Sequence, residues 1–103
     1  MVGLGKWKLD VSLPLLRVQP VLTIEDKNGQ YAFTVDASGF GISPEIHLLE
    51  AKEDENSLVI KAQLPMLNTG DVEARLNFDE VTCIGEVNVP MFGKVTVKGV
   101  KVG

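Results

Sequence analysis

Short segments in which apolar and polar residues alternate recur about every dozen residues along this chain. The first begins at Gly5, and its apolar positions are Trp7, Leu9, Val11 and Leu13. Side chains of a strand point alternately to its two faces, so this period predicts a strand with one buried face. No segment keeps a helical period of 3.6 residues, and the chain is therefore predicted to be all-β.

The alternation predicts eight strands, the first from Gly5 to about Leu13. The others cover about Pro20–Asp26, Gln30–Asp36, Glu45–Lys52, Ser57–Leu64, Asp71–Phe78, Val81–Val89 and Lys94–Val102. Asn28-Gly29 is a strong hairpin signal, because both residue types tolerate positive φ. In the fourth strand, a bulge near Leu48 and Leu49 would reconcile two competing apolar faces.

Short connections between these strands predict an antiparallel up-and-down (meander) β-barrel that forms a single domain over residues 1–103. Closure of the barrel would remove the two exposed sheet edges. An open sandwich of the same strands is the alternative.

The connections at the two predicted ends differ in polarity. Three at one end share the order apolar, proline, apolar, apolar: Leu13-Pro14-Leu15-Leu16, Leu64-Pro65-Met66-Leu67 and Val89-Pro90-Met91-Phe92. With Phe40 they predict an apolar rim, formed by Leu15, Phe40, Met66, Met91 and Phe92. Such a rim either caps the core, or admits an apolar ligand, or contacts a partner. The opposite end carries acidic turns.

Trp7 begins the first strand and is therefore expected at the polar end. We expect it to plug that end of the core. The last strand finishes there too, so Gly99 is expected to leave room for the indole, and Lys101 to lie across the ring as a cation–π partner.

Gly5-Lys6-Trp7 on the first strand, with a basic residue late in the last strand, resembles the calycin architecture of lipocalins and fatty-acid-binding proteins. The segment Phe92-Gly93 to Lys98-Gly99-Val100-Lys101 resembles the C-terminal part of small bacterial calycin-like barrels. The resemblance implies a barrel that holds a small apolar ligand. The chain departs from it in being short, without room for a helical lid. No interior arginine is evident to bind a carboxylate, so a neutral ligand, or one with its head group at the mouth, is favoured.

An eight-stranded barrel either fills with side chains or holds one small ligand. Small residues fall on the last four predicted strands: Ala62, Ala74, Cys83, Gly85 and Gly99. If they share a wall, a cavity forms opposite Tyr31 and Phe33; if large side chains cross into that space, the interior is solid. The candidate ligand-binding residues are therefore Leu15, Tyr31, Phe33, Phe40, Ala62, Met66, Ala74, Met91 and Phe92.

No arrangement of residues typical of a catalytic site is evident in the sequence, and no cofactor or metal is expected. His47 is the sole histidine and Cys83 the sole cysteine, so a His cluster or a CxxC zinc site is excluded. We expect Cys83 to be a small core residue and Asp54, Glu55, Asp79 and Glu80 to be solvated turn residues.

The net charge of −4 disfavours a nucleic-acid surface. No apolar run approaches the roughly 20 residues of a membrane helix, and no secretory signal is evident, so the expected location is cytoplasmic. A secreted chain trimmed of its signal would look the same.

The leading hypothesis is non-enzymatic binding of a small, lipid-like apolar ligand through the rim. The alternative is an interaction module, such as a homodimer, that buries the same rim and has a solid interior. Outward lysines on the first and last strands, Lys6, Lys8, Lys94 and Lys98, form either a soluble protected strand pair or a stripe that docks on an anionic surface.

Overall fold

A computed structural model of the chain describes residues 1–13, 16–36, 46–63, 70–90 and 93–103. Within these residues every regular element is a β-strand, which confirms the all-β class. The strands are β1 (Gly5–Leu13), β2 (Leu16–Val18), β3 (Val21–Lys27), β4 (Gln30–Asp36), β5 (His47–Asp54), β6 (Ser57–Gln63), β7 (Asp71–Phe78), β8 (Thr82–Val89) and β9 (Gly93–Lys101).

The sheet is antiparallel throughout, with the strand order β4-β3-β1-β9-β8-β7-β6-β5. This is the predicted meander, in which the first strand pairs with the last: Trp7 lies opposite Lys101 and Val11 opposite Val97. The eight strands curl into a nearly closed barrel. The remaining seam lies between β4 and β5, for which the described residues show no backbone ladder.

The prediction missed β2. Leu16–Val18 pairs with the second half of β1, Leu13 opposite Leu16, so residues assigned to an apolar loop partly belong to a β-hairpin. Pro20 separates β2 from β3, because proline has no N–H to donate to a ladder. Its carbonyl still accepts a hydrogen bond from the Leu9 N–H at 2.8 Å.

Two local predictions are confirmed. Asn28 and Gly29 have φ of 56° and 83° and join β3 to β4 as a tight turn, and the Asp26 carboxylate accepts the Gly29 N–H at 2.9 Å. The register of β5 against β6 shifts between Leu48 and Glu50, which places the expected bulge.

Trp7 fills the core at the barrel end that carries the turns after β3, β5 and β7. Its side chain is 2% exposed and its ring centroid lies 5.0 Å from that of Phe78. The indole N–H donates to the Gly3 carbonyl at 2.8 Å, so the polar atom is satisfied where the ring is buried. Lys101 Nζ lies 6.0 Å from the indole centroid, as expected for a cation–π partner.

The role predicted for Gly99 was wrong. A Cβ at Gly99 would lie 2.7 Å from both Cys83 Sγ and Leu9 Cδ2. The glycine therefore makes room for these side chains and not for the indole, because Trp7 pairs with Lys101, two residues further along β9.

We predict that Trp7→Ala lowers the free energy of unfolding by about 3–5 kcal/mol, since it opens a large void in the packed end. Chemical denaturation measures the change. Val81→Ala is the control: Val81 is 64% exposed, and its truncation should cost less than about 0.5 kcal/mol. A loss below about 1 kcal/mol for Trp7→Ala would contradict the plug.

Candidate functional site

A cavity of about 330 Å³ occupies the half of the barrel away from Trp7. Every described residue that lines it is apolar. Leu9, Leu22, Leu76 and Val97 line the cavity and also belong to the buried core that contains Trp7.

Two small side chains on neighbouring strands widen this half of the barrel. Ala62 of β6 lies opposite Val72 of β7, and Ala74 of β7 lies opposite Ile60, which makes the two alanines diagonal neighbours. Both line the cavity. A methyl group reaches less far across the barrel than Leu or Ile would, so the interior stays open beside β6 and β7.

The other three small residues do not contribute to this space. A Cβ at Gly85 would lie 2.8 Å from Leu76 Cδ2 and 2.2 Å from the Arg75 carbonyl oxygen. The side chains of Leu9 and Cys83 occupy the space beside Gly99 in the same way. Large side chains therefore occupy the space that the glycines leave. The two alternatives for the interior, cavity and solid packing, each hold for one half of the barrel.

Of the two aromatic candidates, Phe33 lines the cavity and Tyr31 does not. The Tyr31 and Phe33 rings stack with their centroids 5.9 Å apart. Tyr31 comes two residues before Phe33 on β4 and therefore lies nearer the polar end of the barrel. Its hydroxyl accepts the Val2 N–H at 2.7 Å and donates to the Glu53 carboxylate. Tyr31 therefore joins β4 to β5 across the seam, because its polar atom finds these partners at the barrel surface.

The five rim residues, Leu15, Phe40, Met66, Met91 and Phe92, lie outside the described residues. The cavity lies at the end of the barrel where β4, β6 and β8 finish, beside Val35, Ala62 and Val89. The prediction did not single out Val35, Ile46, Val72 and Val87, which also line it. Their alternation marks them as inward-facing, but it does not show which half of the barrel they occupy.

Charged side chains in the described part of the chain mostly form contacts at the protein surface. No three His, Cys, Asp or Glu residues there are arranged to hold a metal ion. Burial raises the pKa of the Cys83 thiol, which keeps it in the protonated, unreactive form. Asp54 binds Arg75 at 3.1 Å, and Asp79 accepts the backbone N–H of Glu80 at 3.0 Å.

Within the same residues, no helix has the length and apolar character needed to traverse a lipid bilayer. No protein-family model, curated protein or solved structure matches this chain.

Tyr31 is the single tyrosine, so tyrosinate absorbance reports on the seam alone. Desolvation, followed by the hydrogen bond to Glu53, raises its pKa above the usual value of about 10. We predict an apparent pKa above 10 in the folded protein, and a return towards 10 in urea or in Glu53→Gln. The seam's contribution to stability should be complete below pH 10 and be lost as the pH rises through the folded pKa. A folded-state pKa at or below 10 would contradict the Tyr31–Glu53 contact.

Proposed function

We propose that the barrel binds one small, neutral, apolar molecule in its interior cavity. The observation that carries the proposal is the wholly apolar lining among the described residues. Burying an apolar ligand there removes its surface and that of the walls from water, which is worth about 25 cal/mol per Å².

The charge of the ligand follows from the absence of polar side chains among the described residues that line the cavity. A carboxylate buried among apolar side chains, without a hydrogen-bonding partner, would pay a large desolvation cost. Arg75 does not supply that partner, because it is exposed and bound to Asp54 outside the barrel. A neutral ligand is therefore favoured over a fatty acid buried head-first.

The size of the cavity limits the ligand further. A cavity of about 150 Å³ holds benzene, and small-molecule pockets begin near 300 Å³. At about 330 Å³, this cavity suits an aromatic molecule of two or three rings or a hydrocarbon chain of medium length. The resemblance to calycins, which enclose such ligands in similar barrels, supports the same class.

We predict that N-phenyl-1-naphthylamine, a neutral fluorescent probe, binds the wild-type protein and that Ala74→Leu weakens binding at least tenfold. The added leucine atoms occupy the space that the probe needs. Ala62→Leu tests the neighbouring position. Val59→Leu is the matched control, because Val59 lies on the outward face of β6, the strand that carries Ala62, and is 37% exposed. This variant should bind the probe as the wild type does.

Thermal unfolding of each variant shows whether weaker binding reflects a filled cavity or a damaged fold. Both alanine variants should keep the wild-type midpoint or exceed it, because the new side chain enters existing space. Unchanged probe affinity in a folded Ala74→Leu would place binding elsewhere. A dimer in native mass spectrometry that binds no probe would replace this proposal by the homodimer alternative, which depends on the rim.

Competition against the bound probe tests the charge of the ligand. We predict that decanol displaces it at least tenfold more effectively than decanoate at pH 7, since only the alcohol is uncharged. Equal displacement would show that the head group stays in water at the mouth, and the requirement for a neutral ligand would be wrong.

A further inference from the structure

The outer wall where the first and last strands meet carries lysines beside exposed aliphatic side chains. The sheet register places Lys8 opposite Val100 and Lys98 opposite Ile84. The Val102 N–H donates to the Lys6 carbonyl at 2.8 Å, which sets these two residues side by side. We call this surface the β1–β9 face; it consists of Lys6, Lys8, Ile84, Lys98, Val100 and Val102.

The three aliphatic residues of this face are unusually open to water. Ile84, Val100 and Val102 are 51%, 50% and 53% exposed. Ile84 on β8 is a diagonal neighbour of Val100 on β9, and Val102 follows directly after β9, so the three residues form one strip. A contiguous apolar strip rimmed by charge is typical of an interaction site.

Four cations elsewhere on the described part of the barrel form ion pairs. Lys52, Lys61, Arg75 and Lys94 lie 3.0, 3.7, 3.1 and 3.9 Å from the carboxylates of Glu50, Asp71, Asp54 and Glu86. In the described part of the chain the three lysines of the β1–β9 face have no such ion pair, and neither do Lys27 and Lys101. Two carboxylates lie beside this face: Asp10 is opposite Lys98, and Glu86, which lies 3.9 Å from Lys94, is two residues from Ile84 on β8. In a chain of net charge −4, three of the five described lysines without an ion pair therefore lie on this face.

We propose that the β1–β9 face docks the protein on an anionic lipid surface. Lysines near such a surface are attracted by its negative potential, and aliphatic side chains between them can enter the boundary between head groups and acyl chains. A protein partner fits less well, because protein interfaces are depleted in lysine and are anchored by aromatic residues and arginine, which this face lacks.

The proposal is independent of ligand binding and is tested on the wild-type chain by sedimentation with vesicles. Binding is expected to vesicles of phosphatidylcholine with phosphatidylserine, to be absent with phosphatidylcholine alone, and to weaken as salt is added. The double variant Lys8→Glu/Lys98→Glu should lower the partition coefficient at least tenfold. Val100→Ser, which keeps every charge, should lower it by a smaller factor.

The matched control is Lys27→Glu/Lys52→Glu, which makes the same change in net charge away from this face. It should reduce binding by much less than the first pair does, and unfolding curves should show that both variants are folded. An equal loss in the two double variants would overturn the face assignment in favour of general electrostatic attraction. The proposal would be overturned if the wild-type protein did not bind phosphatidylserine vesicles. It would also be overturned if the protein bound soluble polyglutamate and not the vesicles.

Discussion

Backbone pairing between β1 and β9 joins the two ends of the chain into one sheet, with Trp7 opposite Lys101 and Leu9 opposite Gly99. These are among the contacts of greatest separation along the chain, so they carry a high loop-closure cost that must be offset locally. Burial of Trp7 against Phe78 at this junction, with its N–H satisfied by Gly3, supplies an apolar contribution of the required kind. The filled end of the barrel therefore stabilises the closure on which the open end depends.

Strand pairing around the barrel is incomplete on the opposite side, between β4 and β5. There the described strands share no ladder, and the side-chain bond from Tyr31 to Glu53 takes its place. Exposed strand edges invite pairing with other chains, and bulges and charges suppress it. The bulge at Leu48–Glu50 and the charges of Glu50 and Lys52 provide both on β5. This seam is therefore an incomplete closure that resists strand addition by another chain.

Alternation in the sequence was enough to predict most of this architecture. It predicted the strands and their inward faces, because side chains of a strand alternate between its two faces. The closure of the first strand on the last was predicted from the short connections and from the exposed edges that closure removes. The bulge was visible as a conflict between two apolar faces, and Asn28-Gly29 as a turn. β2 was missed because three residues, Leu16 to Val18, are too few to show a period.

The cavity was harder to predict, since alternation fixes which face a residue joins but not what stands across from it. Ala62 and Gly85 looked equivalent as small inward positions. The difference between them lies in their neighbours: Leu76 reaches into the space at Gly85, whereas no large described side chain fills the space beside Ala62 and Ala74. Such packing across the barrel depends on strand stagger and side-chain direction, which one sequence does not encode in its local pattern. The same limit applies to the β1–β9 face. Its lysines could be predicted, but the lack of ion pairs at Lys6, Lys8 and Lys98 among the described residues depends on the strand register, which places Lys8 beside Val100.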